Sequence, residues 1–455
     1  MSRTLLKNAL LVTGARTGEG SILIEDGKIS SIAFYDSGET IPDIPSVPSE
    51  DLGGLAVMPG AVDIHVHFRE PGLTHKGDIA SGSRAALMGG VTSFVDMPNT
   101  IPPTTDGAAL EEKYRIASAK SLANYGFHIG ATSSNIMEIK RLCSQSPESF
   151  GGIKVFLGSS TGNMLLNDCS ALDALFSIKG KCILIHSEDE NIIKDNLAKA
   201  VSAYGDAVPF TLHPLIRSRE ACIKSTADAL ERAMRLGTRL HVLHVSTAEE
   251  VELIRTAKGY NQGITAETTA GYLLFSDEDY PALGPFLKCN PAIKSPRDRE
   301  ALRDALRDGT IDTIGSDHAP HLKEEKLRPY TSCPSGVPSV GDSIHALLAV
   351  AAQDGIPLGR IAEVMSETPA RILGIKGKGQ LKEGFDADFV VLDPDAVSVP
   401  EASDSPCGWT PYEGMPLKGR IHSVWLAGEK AVSNGNIISR PRASRLSFIR
   451  SDQFQ

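Results

Sequence analysis

Histidines recur along the 455-residue chain in a pattern that suits a metal ion. His65 and His67 lie two apart in the apolar run DIHVHF. In an extended strand, positions i and i+2 share a face, so both imidazoles project together while Ile64, Val66 and Phe68 project the other way. Neutral imidazole nitrogen is a common ligand for divalent metals, and two on one face can share an ion. IHSE places His186 at the end of a later apolar run, HVLHVS places His244 likewise, and GSDHAPH brings Asp317, His318 and His321. Histidines and an aspartate on successive strand ends have the composition of a nitrogen and oxygen metal site. The alternative for any one of them is a hydrogen-bonded core residue. His241, three before His244, falls on the other face and reads as structural. His128 has no partner in the pattern and reads as core or as support behind the site.

Lys154 stands inside the apolar run GIKVFLG. A buried charged lysine is costly, and burial lowers its pKa. A neutral amine can add carbon dioxide and become a carbamate, an anionic ligand with two oxygens. The plainer reading is a lysine that snorkels to the edge or pairs with a carboxylate. Arg69 follows the histidine pair directly, one pleat further on the same face, and Asn99 ends the run DMPNT. The planar guanidinium fork suits a carboxylate ligand. Without a ligand, Arg69 would be a surface ion pair and Asn99 a turn residue after Met-Pro.

Eight apolar runs would carry these residues: 60–68, 91–97, 126–132, 152–158, 182–188, 239–246, 264–269 and 312–317. Helical stretches alternate with them, among them EACIKSTADALERAMRLG and PRDREALRDALRDG, where apolar residues recur at i, i+3, i+4. Eight strand-helix units predict an α/β fold, a (β/α)8 TIM barrel, whose polar strand ends form the site. No Gly-x-Gly-x-x-Gly opens the first helix, which speaks against a dinucleotide-binding sheet. The ends differ. Residues 4–35, 380–395 and 416–440 alternate apolar and polar residues between Asp-Gly, Gly-Glu and Asn-Gly turns. They predict one small β-sandwich domain built from both termini. The expected division is 1–57 and 375–455 for that domain and 58–374 for the barrel, with loops at 36–50 and 396–415.

Composition excludes other classes. The formal net charge is −10, which gives no support to a nucleic-acid or anionic-membrane partner. No run of about 18 apolar residues is present, and the first residues lack the apolar core of a signal peptide. Seven scattered cysteines without a CxxC speak against disulfides and a cysteine zinc site, and for a reducing, cytoplasmic setting.

The set HVH, GIKVFLG, IHSE, HVLHVST and SDHAPH, with MPGAVDIHVHFREPG and DMPNT, resembles the binuclear amidohydrolases that open cyclic amides. Within them the chain is most similar, over essentially its whole length, to the dihydroorotase family. That resemblance implies two Zn2+ per subunit, bridged by carboxylated Lys154 and a hydroxide, with His65, His67, His186, His244 and Asp317 as the other ligands. It implies that Asp317 is the catalytic base and then acid. Arg69, Asn99 and His321 would grip the carboxylate of dihydroorotate, and Asn290 of LKCNPAIK would contact its ring. The implied reaction is reversible hydrolysis of dihydroorotate to N-carbamoyl-L-aspartate, in de novo pyrimidine synthesis, by a homodimer whose partner is a small molecule. The alternatives are a dihydropyrimidinase or hydantoinase, an allantoinase, or an inactive assembly partner; inactive relatives lose metal ligands, and all six are present here. One stretch departs from the family. Its Gly-hydrophobic-Glu-Thr pattern is here Ser339, Val340, Gly341 and Asp342, which bears on backbone contacts near Gly336 and Pro338.

Overall fold

In the computed structural model, residues 2–37, 41, 44–158, 164–402 and 405–449 are described. Positions 38–40, 42–43 and 403–404 of the two expected loops lie outside them. All eight apolar runs form parallel strands: Ala61–Val66, Val91–Asp96, Asn124–Phe127 with Ile129–Gly130, Ile153–Phe156, Ile183–His186, Leu240–Val242, Ile264–Thr268 and Thr313–Ile314. Each pairs in parallel with its neighbour in sequence. The ring closes where Val66 bridges His318 and the His67 N–H donates to the His318 carbonyl at 2.8 Å. This is a (β/α)8 barrel.

The third strand is interrupted at His128. Its Nε2 lies 2.9 Å from the Ile64 carbonyl and its Nδ1 accepts from the Gly152 N–H, so the ring ties three strands together. Burial lowers its pKa to about 3, which keeps it neutral. His128 is therefore a core residue.

Helices end where local chemistry directs. Asp78 caps Ile79–Met88 in a reciprocal box with Ser81. Ser295 and Asp298 do the same for Pro296–Asp308. Arg219–Leu236 buries Ala221, Cys222, Ser225, Ala229, Leu230 and Ala233 along one stripe and ends at left-handed Gly237. The floor of the barrel is a separate apolar cluster. Val62, Ile64, Val95, Met97, Leu184 and Leu243 meet Ile372, Leu373, Leu446 and Phe448 there. Ile64 thus belongs to the floor, whereas Val66 and Phe68 join the cluster under the outer helices. The simple alternation fails because the register slips between Asp63 and Val66.

Both termini build a nine-stranded sheet. Ala56–Pro59, parallel to Arg3–Val12, pairs antiparallel with Phe389–Ser398 and so joins the two ends of the chain. The sheet curls back on itself: the Ala387 N–H donates to the Gly27 carbonyl at 2.9 Å, and Lys28 bridges Asp386. Its enclosed core unites Leu6, Ile24 and Phe34 with Phe389 and Trp425. Among the described residues, no helix is long and apolar enough to cross a membrane.

Candidate metal centre

The site residues sit where the strands stop. Hydrogen-bonded strands are shorter than the apolar runs, because the backbone turns sharply at their C-terminal ends. Arg69, His244 and Asp317 have φ of 66°, 38° and 46°. Left-handed backbone is strained for such residues, by roughly 1–3 kcal/mol each, and persists where surrounding structure enforces it. Arg69 therefore does not continue the pleat of Ala61–Val66; a turn brings it to the barrel mouth.

His65 and His67 do converge, with ring centroids 5.6 Å apart. His65 Nδ1 lies 2.6 Å from Glu267 Oε1, and its Nε2 lies 3.2 Å from Asp317 Oδ1. His67 Nδ1 lies 2.7 Å from Asn99 Oδ1, and its Nε2 lies 3.2 Å from the same Asp317 oxygen. A neutral imidazole has one N–H. In both rings the acceptor at Nδ1 takes it, which leaves two Nε2 lone pairs aimed at a carboxylate oxygen. Burial drives His65 well below its usual pKa, so an added proton does not resolve the conflict. A cation does. Ligands about 2.0–2.2 Å from a tetrahedral ion are themselves about 3.3 Å apart, close to the 3.2 Å seen here.

His186 and His244 complete the cluster. His186 Nε2 lies 2.9 Å from Glu188 Oε2, so its Nδ1 is a bare lone pair, and that atom faces His244 Nε2 at 2.9 Å. His244 Nδ1 is buried without a hydrogen-bond partner among the described residues. Its ring packs 5.3 Å from that of His65. His65, His244 and Asp317 offer ligand atoms all within 4.8 Å of one another. Burial pushes the Asp317 carboxyl up; His65, His67 and Lys154 more than offset this and hold it below its ordinary value.

Lys154 is 1% exposed. Its Nζ lies 4.6 Å over the Phe156 ring and makes no salt bridge among the described residues. It neither snorkels nor pairs. Burial lowers its pKa to about 7, against the opposing pull of Asp317 and Glu267. A large neutral fraction at neutral pH is what carbamate formation requires. The donor set therefore fits divalent metal, with a lysine able to add an anionic ligand.

The residues expected to meet substrate lie at the mouth. Arg69 is 2% exposed, donates from Nε to the Pro320 carbonyl at 3.3 Å, and has Nη2 3.1 Å from His321 Nε2. No carboxylate pairs with it among the described residues, and burial lowers its pKa to about 10. Asn99 is committed through Oδ1 to His67, a supporting contact absent from the expected role. Asn290 has a buried Oδ1 without a hydrogen-bond partner among the described residues. The Gly336 N–H donates to the Lys288 carbonyl and its own carbonyl accepts from Lys326, so this glycine holds the loop to the protein.

His318 stays out of the cluster: its Nδ1 accepts from the N–H groups of Ser339 and Val340. His241 lies below, 2.8 Å from Thr265 Oγ1 and 3.7 Å from Glu267 Oε2, a structural residue under the carboxylate that orients His65. The histidine pattern alone missed three residues that orient ligands. Glu267 is a carboxylate inside an apolar barrel strand, a signal of the same kind as Lys154. Glu188 sits two after His186 and is gripped by Arg217 Nε and Nη2 at 3.0 and 2.6 Å. Burial raises the Glu188 pKa, but Arg217 and His186 outweigh it and keep the group anionic. Arg217 comes from a distant segment and left no local signal.

Comparison with known proteins agrees with this geometry. The family model described as "Amidohydrolase family" matches residues 56–431. A dihydroorotase of Methanosarcina acetivorans is 37% identical over 422 residues, 90% of this chain and 88% of the relative. An allantoinase of Streptomyces avermitilis is 32% identical over 455 residues, 97% of this chain and 98% of the relative. The solved structure of an L-hydantoinase (dihydropyrimidinase) from Arthrobacter aurescens superposes with TM-score 0.91 at 29% identity, covering 98% of this chain and 100% of that one.

Proposed function

The chain belongs to the amidohydrolase family, and from that premise we propose that it is a dihydroorotase acting in de novo pyrimidine synthesis. The observation that carries the substrate choice is Arg69. A guanidinium buried at the barrel mouth with no carboxylate partner among the described residues is a seat for an anion. Dihydroorotate brings a ring carboxylate; dihydrouracil, hydantoin and allantoin bring none. Similarity over the whole chain does not separate these substrates, because allantoinase and hydantoinase relatives cover it as fully.

In this reading two zinc ions would be held by His65, His67, His186, His244, Asp317 and a carboxylated Lys154. When bound, they would acidify a water and polarise the ring carbonyl. Asp317 takes the proton of the attacking water as its oxygen bonds to the carbonyl carbon. The C–N bond then breaks, and Asp317 returns the proton to the departing nitrogen. Glu267, Asn99 and Glu188 hold His65, His67 and His186 in the tautomers that aim lone pairs inward. Arg69, His321 and Asn99 orient the carboxylate and Asn290 the ring, a contribution of placement. Seven unpaired cysteines support a reducing, cytoplasmic setting. The test is a comparison of kcat/KM on dihydroorotate, dihydrouracil, hydantoin and allantoin. Preference for dihydroorotate by two orders of magnitude or more is expected, and preference for a neutral ring would overturn the assignment.

A further inference from the structure

Lys76 reaches from the loop after the first barrel strand to the loop after the last. Its side chain is 13% exposed, and Nζ lies 3.1 Å from His321 Nδ1 and 3.0 Å from Glu325 Oε1. On the other edge of the ring, His321 Nε2 lies 3.0 Å from the Ser335 carbonyl and 3.1 Å from Arg69 Nη2. An ammonium only donates, so the nitrogen it touches must accept. The proton of a neutral His321 is then confined to Nε2, where the Ser335 carbonyl accepts it, so the 3.1 Å approach of Arg69 Nη2 is a meeting of two donors rather than a hydrogen bond, and an anion between them would satisfy both. Burial, with the charges of Arg69, Lys76 and Lys326 added, keeps the ring neutral.

We propose that Lys76 is a positioning residue for substrate carboxylate, fixing His321 as the Nε2–H tautomer so that it and Arg69 present adjacent donors to one anion. This rests on the dihydroorotase reading and deepens it. The Ser335 carbonyl oxygen occupies the acceptor position that a carboxylate oxygen would take. Among the described residues, the charged groups within 4 Å of the His321 ring nitrogens, Arg69, Lys76 and Glu325, sum to one positive charge, which one carboxylate neutralises. Without Lys76, Glu325 Oε2 remains near Nδ1, at 3.7 Å. A carboxylate accepts, so it would draw the ring proton to Nδ1. Nε2 would become a lone pair facing the incoming carboxylate, and a competing acceptor for Arg69. A plain staple between the two loops would also explain the Lys76–Glu325 ion pair, but that role makes no demand on the tautomer.

The experiment uses the metal-loaded protein labelled with 15N-histidine, with His321 assigned from the spectrum of His321→Gln. Long-range 1H–15N correlations report the tautomer directly. Wild type should show His321 as Nε2–H, and Lys76→Met should shift it toward Nδ1–H. In the same variant KM for dihydroorotate should rise roughly tenfold to a hundredfold, the worth of one charge-assisted hydrogen bond. Its kcat should change far less, and turnover of dihydrouracil should hold. Lys76→Arg, which keeps a donor, should recover most of the loss, and Glu325→Gln should have little effect. An Nδ1–H tautomer in wild type, an unchanged tautomer in Lys76→Met, or equal losses on both substrates would overturn the proposal. Failure of the substrate reading would look different: wild type would not open dihydroorotate at all, whatever the tautomer of His321.

Discussion

Replacing Arg69 by methionine should separate function from stability. Arg69 would give a carboxylate two charge-assisted hydrogen bonds, each worth about 1.5–3 kcal/mol. Losing them should reduce kcat/KM on dihydroorotate by about 3–6 kcal/mol, roughly 100- to 20,000-fold. A neutral ring draws nothing from this group, so dihydrouracil turnover should stay within about threefold. Stability should move the other way. Folding lowers the guanidinium pKa from 12.5 to about 10. The folded chain therefore disfavours the cation at every pH below about 10, and relief comes only above it. At about 1.4 kcal/mol per pH unit, the penalty at neutral pH is about 3 kcal/mol. Losing the bond to the Pro320 carbonyl returns about 1 kcal/mol of it. The ligand-free variant should melt at the wild-type temperature or up to about 2 °C higher, the shift that about 2 kcal/mol gives a chain of 455 residues. Steady-state kinetics on both substrates and a thermal melt of the same samples measure this. A variant several degrees less stable, or one impaired equally on both substrates, would refute the description of Arg69 as an unpaired charge kept for an anion.

Three further outcomes follow from the same geometry. Glu267→Gln weakens the partner of His65 Nδ1 at 2.6 Å and should loosen metal binding about 10- to 100-fold, with activity recovering as metal is added. Asp317→Asn removes a proposed ligand and the proton carrier together, so turnover should fall at least about a thousandfold while circular dichroism is unchanged. Metal-stripped protein reloaded in carbon-dioxide-free buffer should take up less metal than protein reloaded with bicarbonate, as a carbamate on Lys154 requires; equal uptake would rule that carbamate out.

The barrel was legible because its strands are short apolar runs separated by strongly patterned helices. Their ends were not, since the left-handed turns at Arg69, His244 and Asp317 are imposed by the assembled barrel rather than by residue preference. For that reason the pleat predicts one path for Arg69 and a left-handed turn supplies another. The histidine set was legible from type and spacing, and the structure brings together the four histidines and Asp317. Their orienting partners were harder to see. Asn99 and Glu267 bond histidines 32 and 202 residues away in sequence, and only folding reveals such pairs. Lys76 was hidden for the same reason: a lysine in a polar loop looks solvated until the loop carrying His321 packs over it.

A metal-dependent centre that opens a carboxylate-bearing cyclic amide must both hold metal and need it. The most direct measurement is elemental analysis of the purified chain together with dihydroorotate hydrolysis on the same sample, before and after chelation. Two divalent ions per chain, activity lost on chelation and regained on reloading, and formation of N-carbamoyl-L-aspartate are the predicted results. Full activity in metal-free protein would exclude a metal-dependent centre, and a fully loaded protein that opens neutral rings but leaves dihydroorotate intact would exclude the proposed substrate.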